Sequence, residues 1–292
     1  MWGEPRRISG GPALRERLAK RVDAHKYAHG HALVLAGGLG RTGAARLAAR
    51  GALRVGAGLV TVAAPPEAMA ECAAQLTSVM LRQVEGGEGL VDVLKDRRVT
   101  ALCLGPGLGC DATTRDLAAR ALATGRAAVL DADALGAFEE DVEGLFSRLH
   151  PRVVLTPHGG EFARLFPDLV ADGATAPDLP LALRVGLVRA AARRAGAVVA
   201  LKGPETFIAA PDGRCMVHDA ALARRAPWLA TAGAGDVLAG MIAGLMARGF
   251  DPIDASADAV WLHVEAARHV GPGLIAEDLP EALPAVFRAL GL

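Results

Sequence analysis

The chain has 292 residues, 52% hydrophobic and 22% charged, with 32 basic side chains balancing 32 acidic ones. This globular composition can bury a sizeable core. With no basic block and only 4% aromatic residues, it excludes a nucleic-acid or polyanion surface. Cys72, Cys103, Cys110 and Cys215 are scattered, which argues against a zinc site or disulfide frame and for a reducing compartment. Met1–Arg7 carries no apolar leader and no run of about 18 apolar residues follows, so a cytoplasmic protein is expected.

Residues 1–24 read as an N-terminal extension. Short apolar runs then alternate with helical stretches. The strand His31–Ala36 leads to the helix Ala44–Val55, and the strand Leu59–Ala63 to the helix Pro66–Gln75. The strand Val99–Leu104 precedes the helix Asp111–Ala123; Ala127–Leu130 and Val153–Leu155 are further strands. The helix Leu181–Arg194 precedes the strand Ala197–Leu201. Apolar strands separated by helices predict a parallel sheet covered on both faces. Thr206–Ala210 and Cys215–Val217, joined by Pro211-Asp212-Gly213-Arg214, predict a hairpin at one edge. Asp168–Leu179 is expected as a surface loop. From Gly235 onward the chain is helical, over Val237–Arg248, Pro252–Val270 and Pro280–Leu290. No linker or repeat interrupts the pattern, so one domain is expected.

In such sheets, ligands sit outside the carboxyl ends of the strands. The unusual residues gather there: Gly37 to Gly43, Gly105-Pro106-Gly107-Leu108-Gly109, Asp131-Ala132-Asp133, Thr156-Pro157-His158-Gly159-Gly160-Glu161, and Lys202-Gly203-Pro204-Glu205-Thr206. Each has an ordinary explanation. Glycines form turns, Asp131 and Asp133 could cap the following helix, His158 could be a buried histidine, and Lys202 a solvated loop lysine. Five such loops on one rim argue for an enzyme.

The stretch Ala230 to Gly240 completes the rim. Ala232 to Gly235 are small, and a helix follows. A glycine-rich turn opening a helix offers unpaired N–H groups and a positive dipole end, which together hold an anion, most often phosphate. Asp236 in that field suggests a group that takes a proton or orients a hydroxyl; a capped helix start is the alternative. The dinucleotide fingerprint fails, because the position three residues after Gly107 is Cys110. No Gly-x4-Gly-Lys-Ser/Thr and no Gly-x-Ser-x-Gly occurs.

The ordered set His25-Lys26, Thr42-Gly43-Ala44-Ala45, Gly56 to Thr61, Gly105 to Gly109, Leu130 to Leu135, Thr156 to Phe162, Leu201 to Thr206 and Ala230 to Gly240 resembles the ribokinase-like superfamily. Within it the chain is similar to the ADP/ATP-dependent NAD(P)H-hydrate dehydratases. The resemblance implies a ribokinase-like three-layer sandwich over residues 25–292, its mostly parallel central sheet carrying helices on both faces. It implies that a nucleotide, ADP or ATP with Mg2+, phosphorylates the C6 hydroxyl of the (6S) hydrate of NADH or NADPH, and that phosphate elimination restores the cofactor. Asp236 would be the base and would also touch substrate. Ala44, Gly107, Gly109 and His158 would surround the hydrated cofactor. Lys202, Gly203, Pro204, Glu205, Thr206, Gly233 and Gly235 would surround the nucleotide. Glu161 would hold the metal through water, its alternative being a first-turn helix carboxylate. A homo-oligomer, a tetramer by resemblance, is expected.

Two departures matter. Many relatives carry Asn-Pro-Gly before the Ala-Thr, where this chain has Ala226-Pro227-Trp228-Leu229, and this bears on nucleotide preference. Many also carry an amino-terminal epimerase domain, which the residues ahead of His25 are too few to form; functional pairing with a separate epimerase is expected. The rival readings are a ribokinase-like kinase of a vitamin-precursor alcohol and a non-catalytic nucleotide sensor.

Overall fold

Strands buried on both faces build the centre of the molecule. The computed structural model describes residues 3–170, 179–219 and 224–292. Its strands are β1 (Arg6–Arg7), β2 (His31–Leu35), β3 (Leu59–Ala64), β4 (Met80–Gln83), β5 (Ala101–Leu104), β6 (Ala127–Leu130), β7 (Val153–Leu155), β8 (Val198–Leu201), β9 (Glu205–Ala209) and β10 (Cys215–Asp219). They form one sheet in the order β1-β10-β9-β8-β7-β6-β5-β2-β3-β4, parallel except where β9 pairs with β8 and with β10. The hairpin therefore sits toward one edge, as expected, with β1 added outside it. The order reverses between β2 and β5, which creates the switch-point crevice where α/β sheets take ligands.

Helices cover both faces. One layer holds α1 (Pro12–Leu18), α2 (Gly43–Arg54) and α3 (Met69–Gln75), with α10 (Ala234–Ala247), α11 (Pro252–Val270) and α12 (Asp278–Ala289). The other holds α4 (Gly86–Leu94), α5 (Ala112–Ala123), α6 (Asp133–Gly136), α7 (Val142–Phe146), α8 (Gly159–Leu165) and α9 (Leu181–Ala195). The interior face of α10 is stripped to glycine so that α2 can approach. A Cβ on Gly240 would lie 1.9 Å from the Ala48 carbonyl oxygen, and one on Gly244 2.6 Å from that of Ala52. This close contact fixes α10, and with it the residues of its first turn.

Several expectations shift. Helix α10 starts at Ala234 and not at Val237, so Gly235 and Asp236 belong to its first turn. Ala232 and Gly233 form the turn ahead of it, Gly233 at φ 87°. The described part of the stretch read as an extension, from Gly3, packs onto the fold. Leu14 and Leu18 are buried in the core, and Arg17 clamps the buried Asp258 carboxylate at 2.6 and 2.8 Å. Strand β4 and helix α4 were not anticipated. Of the loop expected over Asp168–Leu179, Pro167–Leu169 forms a 3-10 turn and residues 171–178 lie outside the described residues.

Candidate active site

The switch-point loops are locked by glycines that nothing larger could replace. Gly105 has φ 124°, and a Cβ there would stand 1.7 Å from the Asp131 carbonyl oxygen. Gly107 has φ 73°, and its Cβ would stand 2.6 Å from the Arg41 carbonyl oxygen and 3.6 Å from the Ala44 side chain. The Gly109 amide donates to Asp133 Oδ2 at 2.8 Å. Ala44 and Gly107 thus come together, with Gly109 two residues on. The Arg41 guanidinium lies beside Gly109, a cation to which the sequence analysis assigns no role.

Asp131 and Asp133 do not cap α6, which corrects the simpler reading of both. The N-cap of that helix is Ala132, held at φ 45° and without a side-chain cap bond. A non-glycine residue in this region is strained, and the twist sends the neighbouring carboxylates to different partners. Asp133 takes the Gly109 amide. Asp131, 1% exposed, accepts from Lys202 Nζ at 2.6 Å and from Thr156 Oγ1 at 2.8 Å. Lys202 is therefore not a solvated loop lysine. Its ammonium leans over the first turn of α10, 3.5 Å from where a Cβ on Gly235 would sit.

That turn opens the helix with backbone amides facing outward. Ala234 N–H bonds back to Thr231 and Val237 N–H to Gly233. The amides of Gly235 and Asp236 lie between them at the helix mouth, with the positive dipole end behind. Gly233, ahead of them, is also closely packed: a Cβ there would meet Leu47 at 2.7 Å and Ala276 at 2.8 Å. Buried His263 donates from Nε2 to the Ala234 carbonyl at 2.9 Å and pins the turn from below. Asp236 is half-buried beside Asp131, Lys202 and Asp133. Desolvation first, then the Asp131 charge, push its carboxyl up to about 6, while Lys202 opposes the shift.

His158 is the N-cap of α8. Its Nδ1 accepts from the amides of Gly160 (2.9 Å) and Glu161 (3.3 Å), and its own amide donates to Glu161 Oε2 at 2.7 Å. This reciprocal pair is a capping box with histidine in the serine role. Glu161, 7% exposed, is thus tied to the helix start that its alternative reading foresaw. The β7 and β8 loops run side by side, joined by the Lys202 amide to Pro157 O (2.9 Å) and a bridge between His158 and Lys202. Farther along, Gly203 and Pro204 are exposed and Thr206 is buried, while Glu205 is ion-paired with Arg184. Along Lys202–Thr206 the exposed groups are therefore mainly backbone, with the Glu205 carboxylate committed to Arg184.

Among the described residues no three His, Cys, Asp or Glu side chains form a metal cage. A cleft of about 1070 Å³ runs along α2 past Arg50, Leu53 and Phe287. It holds none of Asp131, His158, Lys202 or Asp236. No helix among the described residues is long and apolar enough to cross a membrane.

A family model described as NAD(P)H-hydrate dehydratase matches residues 32–283. The chain belongs to this family. It is 33% identical to an ADP-dependent (S)-NAD(P)H-hydrate dehydratase of Xanthomonas campestris, over 99% of each chain. It is 39% identical to a bifunctional NAD(P)H-hydrate repair enzyme Nnr of Moorella thermoacetica, covering 98% of this chain and 54% of that relative. The chain thus spans about half the length of the bifunctional curated relatives it matches. Among solved structures it is similar to the ADP/ATP-dependent NAD(P)H-hydrate dehydratase of Bacillus subtilis co-crystallised with ATP and Mg2+. That likeness has a TM-score of 0.76 and 27% identity, and covers 97% of this chain and 99% of that one. The three-layer arrangement is ribokinase-like. Asp131 and Thr156, which the sequence sets on the rim without a role, meet at Lys202. The signal for a role at Asp131 was a lone acid ending a fully apolar strand.

Proposed function

We propose that the protein dehydrates the (6S) hydrate of NADH or NADPH at the expense of ADP or ATP. The observation that carries this reading is the meeting, at one helix mouth, of two anion-ready amides, the Lys202 ammonium and a carboxyl whose proton affinity is raised into the working range. Hydroxide is a poor leaving group and phosphate a good one. Asp236 accepts the proton of the C6 hydroxyl as its oxygen attacks the terminal phosphoryl group, whose leaving charge lies over the Gly235 and Asp236 amides and Lys202. The ring nitrogen lone pair then expels phosphate, and loss of a C5 proton restores the reduced ring. Hydrated cofactor and ATP become NAD(P)H, ADP and phosphate; with ADP the spent nucleotide is AMP.

Ala44, Gly107 and Gly109 leave room for a dinucleotide, and His158 stands over its nicotinamide end. The Lys202–Thr206 loop, with Gly233 and Gly235, receives the nucleotide. Mg2+ would ride on the phosphates with Glu161 reaching it through water, and would neutralise charge there. A cytoplasmic setting would keep the exposed Cys110 reduced, and assembly into a homo-oligomer and partnership with an epimerase are part of the proposal. Incubation with hydrated NADH, ADP or ATP and Mg2+ tests it. Absorbance of reduced nicotinamide should rise only with nucleotide present, and no rise with either nucleotide refutes it.

A further inference from the structure

We infer that Asp131 is a positioning residue whose task is to hold the Lys202 ammonium over the first turn of α10 before the nucleotide arrives. The inference rests on the nucleotide reading above and assigns a further residue to it. Asp131 is 1% exposed and ends β6, so its backbone is fixed by the sheet, with its own amide bonded to Leu104 O at 3.1 Å. Its Oδ1 takes both Lys202 Nζ, at 2.6 Å, and Thr156 Oγ1, at 2.8 Å. Thr156 is itself 1% exposed and anchored by its amide to Leu130 O at 3.1 Å. Two adjacent strand ends thus aim one carboxylate at the tip of a third.

Physical chemistry says why such a brace is needed. A lysine head on its four-carbon stem samples many rotamers, and ordering it at the moment of binding weakens affinity. A buried ion pair, by contrast, contributes little net stability, because desolvation offsets the attraction. An apolar pair would stabilise this site as well, so the pair is better explained by where it puts the charge. That place is 3.5 Å from the Cβ position of Gly235, beside the amides that receive phosphate. The strained Ala132 turn keeps Asp133 from competing for Lys202, by sending its carboxylate to Gly109.

The test is a double-mutant cycle read by calorimetric titration with ADP on the full chain. Asp131→Asn keeps the shape and removes the charge. It should weaken ADP about tenfold and raise the nucleotide KM, leaving the KM for hydrated cofactor within about twofold, a split that a general loss of structure would not give. Lys202→Met should weaken ADP at least as much. In the double variant, affinity should equal that of Lys202→Met alone, because Asp131 acts through Lys202. Should Asp131→Asn fail to fold, Thr156→Val takes its place, with a weakening of about threefold that vanishes on the Lys202→Met background. Additive losses, or wild-type ADP affinity in Asp131→Asn, overturn the inference. Wild-type protein that binds neither ADP nor ATP overturns the nucleotide reading itself, and the inference with it.

Discussion

Asp236 carries two opposing demands, since the burial that makes it a useful base also makes its ionised form costly. With its carboxyl pushed up to about 6, the acid limb of kcat/KM should fall near pH 6, and the rate should drop about tenfold per unit below it as the base is protonated. A limb near pH 4 would contradict this environment. The amide in Asp236→Asn cannot accept the proton, so turnover should fall at least about a hundredfold while calorimetry finds ADP affinity within about twofold. Near-wild-type turnover removes Asp236 from the mechanism. The same shift predicts a stability effect. Because the folded-state value lies above that of the unfolded chain, near 4, the native state binds the extra proton between about pH 4 and 6, and stability falls as pH rises through that window. Asp236→Asn should therefore be more stable than wild type by ~1–2 kcal/mol at pH 7.5, with the gap closing toward pH 4 in urea titrations. An Asn variant less stable at pH 7.5 would contradict the account. The sequence made Asp236 legible because it follows small residues at a helix start. It put Asp131 on the rim but hid its task, because its partners Lys202 and Thr156 come from other strands and are joined only by the sheet.

At the level of elements, the first turn of α10 and the start of α8 make separable predictions. Gly235 is helical, and a Cβ there meets only Lys202 Nζ, at 3.5 Å. Gly235→Val should therefore leave the fold intact and weaken ADP or ATP by blocking phosphate approach to the backbone, at least about tenfold by calorimetry. Unchanged affinity puts the phosphate elsewhere. At α8, removing His158 outright would also remove a cap. Asparagine caps well, so His158→Asn keeps the helix start while deleting the imidazole. It should raise the KM for hydrated cofactor about tenfold and change that for ADP little; the reverse pattern would move His158 to the nucleotide side. The start of α10 was misplaced from sequence because Ala234 and Gly235 add little to an apolar period. Tertiary contact with α2 and the His263 bond to Ala234, not propensity, extend the helix back to them.

Across the whole molecule, the legible parts are those buried on both sides. Strands β2, β5, β6, β7 and β8 are continuous apolar runs because helices cover both faces, and the loops at their carboxyl ends could be aligned on one rim. Strand β4, Met-Leu-Arg-Gln, is mostly exposed at the sheet edge and shows no apolar run, and β1 is two exposed arginines recruited by pairing with β10. Neither carries a local signal, since each exists through its neighbour. The rim, the switch point and the α10 mouth together make phosphoryl transfer the natural chemistry of this fold. What separates a dehydratase from a kinase of a vitamin-precursor alcohol is the fate of the phosphate ester. The most direct measurement is therefore the stoichiometry of products from hydrated NADH, ATP and Mg2+. The account predicts inorganic phosphate and NADH in equal amounts with no accumulating phospho-product. A stable phosphate ester, or efficient phosphorylation of a thiazole or pyridoxine alcohol with hydrated NADH ignored, would contradict it.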